Sequence, residues 1–117
     1  MSNILLEIAD QFSKGAFNKV YPHFKDDIKW NLVGSPIISG RENVIAHCEK
    51  MIADMAGSIM NNTKHFIAGD AVIVQGFCTY TGADNSPGKV EYCDIYNFEK
   101  DKLSEITSYI IEIAQGL

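Results

Sequence analysis

Positive charge is scarce in this sequence: ten Lys and Arg, with Arg41 the only arginine, stand against fifteen Asp and Glu, for a formal net charge of -5. No basic stripe is available to neutralise phosphates, so nucleic acid is not an expected partner. Cysteine is also sparse. Cys48, Cys78 and Cys93 are odd in number and lack C-x-x-C spacing, which argues against a disulfide framework or a zinc site and for buried, inert thiols. The three histidines, His23, His47 and His65, form neither H-x-H nor H-E-x-x-H, so no metal and no cofactor are expected. Long apolar runs are missing too, with nothing near the ~18 residues a membrane span needs. The start, MSNILLEIADQF, carries Glu7 and Asp10 where a signal peptide is apolar, and a cytoplasmic protein without membrane contact is the expectation.

The remaining composition is that of an ordinary globule. Hydrophobic residues make up 46% and charged residues 21% of 117, enough for one core and too short for two, so a single domain over 1–117 is expected. No repeat, low-complexity segment or linker interrupts it.

Helical spacing comes first along the chain. Ile4, Leu5, Ile8, Ala9 and Phe12 precede Gly15 and predict a helix over 3–14. Phe17, Val20, Tyr21 and Phe24 predict a short second helix that Pro22 kinks or restricts to turns. In DDIKWNLVG the period changes, and Ile28, Trp30 and Leu32 alternate as in a half-buried strand ended by Gly34 and Pro36. In SGRE, Ser39 stands three residues before Glu42, a capping box ahead of a third helix carrying Val44, Ile45, Cys48, Met51, Ile52 and Met55, with Gly57 to end it. Beyond residue 63 the pattern is strands: KHFIAG, AVIVQGFCTYTG, then KVEYCDIYNFE, a tight connection at Lys100 and Asp101, and LSEITSYIIEI. Helices first and consecutive strands later predict an α+β fold with an antiparallel meander, curved into a cone around about three helices and leaving a pocket at its mouth.

VEYCDIYNFE raises a problem of charge. Alternation puts Val90, Tyr92, Asp94, Tyr96 and Phe98 on one face, and an ionised carboxylate among aromatics costs several kcal/mol unless something compensates it. Asp94 is either a carboxyl kept neutral inside a pocket, acting as donor or proton shuttle, or a structural acceptor tied to Tyr or Ser hydroxyls on adjacent strands. Register leaves a second choice. With Ser108 opposite Asp94, Ile106, Ser108 and Ile110 share its face; a one-residue slip replaces them with Glu105, Thr107 and Tyr109. Trp30 is core or pocket wall, with an indole N–H able to orient a ligand, and Arg41 at a helix start fits a fold or dimer contact better than an anion clamp.

The order of elements, together with FKDDIKWNLVGSPIISGRE and CDIYNFEKDKLSEITSYI, resembles the nuclear transport factor 2-like superfamily, in particular its SnoaL-like and ketosteroid isomerase-like branch. The resemblance covers nearly the whole chain. It implies a cone-shaped, cystatin-like α+β fold, a homodimer formed through the sheet, and a mostly apolar pocket for a small apolar or amphipathic molecule. Fold does not dictate function, because members include isomerases, cyclases, dehydratases, hydrolases and silent binding modules. In ketosteroid isomerase a general-base Asp works beside an oxyanion hole of a Tyr and a protonated Asp. Asp94 matches that protonated Asp, whereas Leu32 occupies the general-base position and Ile8 that of the Tyr, so the resemblance implies that this mechanism does not run here in that form. Some polyketide cyclases of the branch rely on a late-strand Asp as acid and base, a role that Asp94 matches. The resemblance also turns His47 toward the pocket. Two classes therefore stand at the sequence level: an isomerase, cyclase or dehydratase using Asp94 with His47, and a non-catalytic binding module, with Trp30, Leu32, Tyr92, Ser108 and Ile110 as ligand contacts in either case.

Overall fold

The computed structural model describes residues 3–82 and 84–113. Helix α1 (Ile4–Ser13) starts at Asn3, whose side chain accepts from the Leu6 N–H at 3.1 Å, and buries Ile8, Ala9, Phe12 and Ser13. A side-chain acceptor satisfies one of the four amides that a helix start leaves unpaired, which fixes this end. The expected second helix is instead two single 3-10 turns, Phe17–Lys19 and Tyr21–His23. Pro22 lacks the N–H that a continuing helix requires at that point. So the cone is built on two α-helices and these turns.

Strand β1 (Phe24–Leu32) leads to the two-residue strand β2 (Ile38–Ser39) and helix α2 (Arg41–Asp54). The Ser39 and Glu42 capping box does not form: Gly40, at φ 93°, is the cap residue and no side chain caps the helix. Ser39 is held in β2 opposite Lys29, and the Gly40 N–H is given to the Ile28 carbonyl. Strand pairing thus fixes Ser39 one residue before the cap position. Arg41 donates to the Tyr21 carbonyl at 3.2 Å, a contact within the fold.

Four long strands follow, β3 (Ile59–Ala68), β4 (Ala71–Thr81), β5 (Pro87–Glu99) and β6 (Lys102–Glu112). The six-stranded sheet has the order β2-β1-β6-β5-β4-β3, with β1 and β6 parallel and the remaining pairs antiparallel. Strand β5 alternates along its length, burying Tyr92, Asp94, Tyr96 and Phe98. The hairpin turn is Lys100 and Asp101, both at positive φ, and the pairing shifts from Phe98–Leu103 to Asn97–Glu105, a bulge with Ser104 as the extra residue. Two positive-φ residues make the turn whose twist suits a two-residue hairpin, and the bulge adds the residue that decides the register. Asp94 therefore pairs with Ser108, Tyr92 with Ile110 and Tyr96 with Ile106. Of the two registers open at the sequence level, this is the first.

The core fills the space between α1 and the inner sheet face. Phe12 is its hub, with ring centroids 4.7 Å from Phe17, 5.0 Å from Trp30 and 5.7 Å from Tyr96, mostly edge-on. Edge-to-face contacts of this kind add to burial itself. No helix among the described residues is long and apolar enough to cross a membrane.

Candidate functional site

Aromatic packing does not close the wide end of the cone. A cavity of about 420 Å3 opens there, within the range of small-molecule sites, with Phe12, Ser13, Phe17, Trp30, Asp94 and Ser108 at its buried end. Farther out, the end of α2 and the strand that follows supply Met51, Met55, Ser58 and Met60, while Cys78, Tyr80, Val90 and Tyr92 line the sheet side. Asp54, Gly57, Thr81 and Ile110 mark the exposed rim. Among the sequence candidates, the fold brings Asp94, Trp30, Tyr92, Ser108 and Ile110 to this one space.

Leu32 and His47 do not contribute to its wall. Leu32 packs against the core. His47 sets its ring edge-on to Trp30, with centroids 5.3 Å apart. Helix α2 buries Val44 and Cys48, and its His47 imidazole packs on Trp30 without lining the cavity.

Asp94 is 7% exposed and is held by hydroxyls. Ser13, at the last position of α1, donates to Oδ2 at 2.8 Å; the Tyr96 hydroxyl lies 2.5 Å from the Ser13 oxygen and 3.4 Å from Oδ2. From the other side, the Trp30 indole N–H donates to Ser108 Oγ at 3.0 Å, and Ser108 faces Asp94 across the β5–β6 pair. Burial pushes the carboxyl above the usual aspartate range, against the pull of hydrogen bonds from Ser108, Ser13 and Tyr96. Two elements of the sequence-level accounts of Asp94 occur together, the hydroxyl partners and the place in a pocket wall. It accepts from Ser and Tyr hydroxyls, and it also lines a cavity.

A second polar chain reaches the cavity from α1. The Asn62 amide nitrogen lies 2.8 Å from Asp10 Oδ1 and 3.0 Å from the Asp10 carbonyl, and the Tyr92 hydroxyl donates to Asn62 Oδ1 at 2.5 Å. His65 Nε2 and Lys14 Nζ also meet Asp10, at 2.8 and 3.1 Å. Burial raises the Asp10 carboxyl, but hydrogen bonds from Asn62, His65 and Lys14 outweigh it and hold the group at about 2. The Tyr92 hydroxyl is pushed upward by burial and by Asp94, so it keeps its proton.

Sequence reasoning missed Ser13, Asn62 and Gly76. A methyl group at Gly76 would sit 2.2 Å from the Asn61 carbonyl and 2.6 Å from the Tyr92 hydroxyl. Glycine inside the strand VIVQGFCTY was the available signal, since it marks a close approach. Burial pushes the Cys48 thiol up to about 12 and that of Cys78 upward, which makes both poor nucleophiles. Among the described residues no three His, Cys, Asp or Glu side chains gather as metal ligands.

The family model for the SnoaL-like domain matches residues 6–106. No curated protein matches the chain. Among solved structures, an NTF2-like protein of unknown function from Cytophaga hutchinsonii is 38% identical, over 92% of this chain and 96% of that one, with a TM-score of 0.89. A structure described as a putative SnoaL-like polyketide cyclase from Jannaschia sp. CCS1 superposes at TM-score 0.76 with 14% identity, covering 92% of this chain and 85% of that chain. A cystatin-fold protein from Novosphingobium aromaticivorans does so at 0.75 with 17% identity, covering 92% and 99%. The last two comparisons concern the fold alone.

Proposed function

The chain belongs to the SnoaL-like domain family of the NTF2-like superfamily, and on that premise we propose that its cavity binds a small, largely apolar or amphipathic molecule whose one polar group meets Asp94. The observation that carries this reading is the cavity itself: about 420 Å3, walled by aromatic and methionine side chains, with a buried carboxyl at its inner end. Apolar walls supply affinity through burial, and a few fixed polar groups supply orientation. Methionines at the outer part of the wall adapt to ligand shape.

The experiment is uptake of Nile red, a neutral dye that brightens in apolar surroundings. Val90→Trp fills the cavity from the β5 side, where Val90 is only half-buried. The wild-type protein is expected to take up the dye, and the variant to bind it about tenfold or more weakly, a loss of about 1.4 kcal/mol. Equal uptake by a folded variant would remove the cavity as the binding place.

A second reading is favoured by the burial that raises the proton affinity of Asp94. In it, Asp94 takes a proton from the substrate and returns it to another atom of the same molecule, as an isomerisation or cyclisation requires. Deuterium exchange at the acidic carbon of β-tetralone, followed by NMR, tests it. Acceleration by the wild type and not by Asp94→Asn supports the role; no acceleration removes it.

The expected second copy belongs to the outer sheet face. Tyr109 is 44% and Ile111 63% exposed there, beside Phe77 and Cys93 on the neighbouring strands. We propose that this face is the homodimer surface, since exposed apolar side chains rimmed by polar ones, here Lys64, Gln75 and Glu91, mark interaction sites.

A further inference from the structure

The hydroxyl protons around the cavity can be assigned from which partners only donate and which only accept. Trp30 Nε1–H can only donate, so Ser108 Oγ is its acceptor at 3.0 Å, and the Ser108 proton is left to turn elsewhere, with Asp94 facing it across the β5–β6 pair. Ser13 gives its proton to Asp94 Oδ2 at 2.8 Å, so its oxygen takes the Tyr96 proton at 2.5 Å. At Asn62 both neighbours of the amide nitrogen, the Asp10 carbonyl and Oδ1, are acceptors. That orientation leaves Asn62 Oδ1 to receive the Tyr92 proton. The Trp30, Ser13, Tyr96 and Tyr92 donors are therefore committed to the protein, which leaves the Asp94 carboxylate and the Tyr92 oxygen, both in the cavity lining, as acceptors.

Charge points the same way. Among the described residues no Lys, Arg or His lines the cavity, while Asp94 does so at the buried end and Asp54 at the rim. None of the ion pairs among the described residues involves Asp94. A buried carboxylate without a cation is unfavourable by several kcal/mol unless hydrogen bonds or a counter-charge offset it. An anionic ligand would add a like charge to both ends.

Resting on the binding reading of the same cavity, we propose that its ligand is an organic amine: a primary or secondary ammonium on an apolar body, held head-first by N–H bonds to Asp94 and Tyr92. The aromatic walls suit this occupant as well, because ring faces attract a cation beyond the area they bury. Tyr92 and Asp94 stand two residues apart on one face of β5 and both line the cavity, and an ammonium group carries several protons to share between two acceptors.

Four β-substituted tetralins of nearly equal size, the amine, alcohol, ketone and carboxylate, test this by calorimetry at neutral pH. The amine is expected to bind about tenfold or more tightly than the alcohol, as a charge-assisted hydrogen bond over a neutral one allows. The carboxylate is expected to bind weakest. Asp94→Asn should erase the amine's advantage, and Tyr92→Phe, which keeps the ring, should weaken the amine by several-fold while leaving the ketone unchanged. A ketone or carboxylate that binds as tightly as the amine would overturn the proposal and leave the pocket reading standing. So would an amine preference that survives both substitutions, which would place the attraction at Asp54. Binding of none of the four would overturn both readings.

Discussion

Asp94 and Asp10 show how the same side chain takes opposite directions from its surroundings. At Asp10, hydrogen bonds from Asn62, His65 and Lys14 outweigh burial; at Asp94, burial outweighs hydrogen bonds from Ser108, Ser13 and Tyr96. The consequence for stability follows from linkage. Because the folded-state affinity of Asp94 for a proton is raised, the unfolded chain loses that proton first as pH climbs from about 4. Stability contributed by the neutral carboxyl is fully present below that value and is lost as pH rises through the folded-state pKa. Asp94→Asn has no such proton to lose. Chemical denaturation across this window should therefore show wild-type stability falling relative to the variant as pH rises. Parallel curves would mean that the hydroxyls fully offset burial. Asp10 acts in the other direction, contributing stability above 3.8 that is lost as pH falls toward 2.

At the scale of elements, the β4–β5 pair positions the site through one missing side chain. Gly76 is paired with Tyr92, and a methyl there would meet both the Asn61 carbonyl and the Tyr92 hydroxyl. The backbone of β3 cannot retreat without breaking its ladder with β4. Gly76→Ala is expected to cost about 1 to 3 kcal/mol of stability, the usual range for overpacking, and to displace Tyr92 from Asn62. Thermal unfolding reads the first effect and tetralin-amine affinity the second. A neutral outcome in both would show that the strand has slack. The elements also mark what was legible: β5 and its buried face follow from period-two alternation alone, whereas the start of α2 depended on Ser39 being held in β2. A capping box is a local pattern, and a strand pair formed with residues ten positions away overrode it.

For the whole molecule, the outer face of the sheet sets the expected assembly. Tyr109 and Ile111 on β6 share a shallow groove with Thr63, Phe77 and Cys93, and Phe66 is also 49% exposed. If a second copy covers this face, sedimentation of the wild type at micromolar concentration should report a dimer. Ile111→Glu places a charge in that contact and should give monomers of unchanged secondary structure. A monomeric wild type would remove the proposal. Outward placement of Ile111 also keeps this substitution away from the cavity, so dye uptake should persist.

Composition and periodicity by themselves determined the fold class and the inward face of β5, because burial patterns follow from the two repeat lengths that backbone geometry allows. The scarcity of cations also lay in the sequence, and it returns as a cavity whose described wall holds Asp54 and Asp94 and no Lys, Arg or His. Tertiary structure alone decided what Asp94 touches. Ser13 is 81 residues away, and Ser108 meets Asp94 only because the bulge opposite Asn97 and Phe98 sets that register. It also decided that His47 packs on Trp30 while Met51 and Met55, from the same helix and its end, reach the cavity. The physical reason is common to these cases. Local pattern specifies which way a side chain leaves its own element, but the register of strands and the rotation of a helix against a sheet are settled by packing across the whole core.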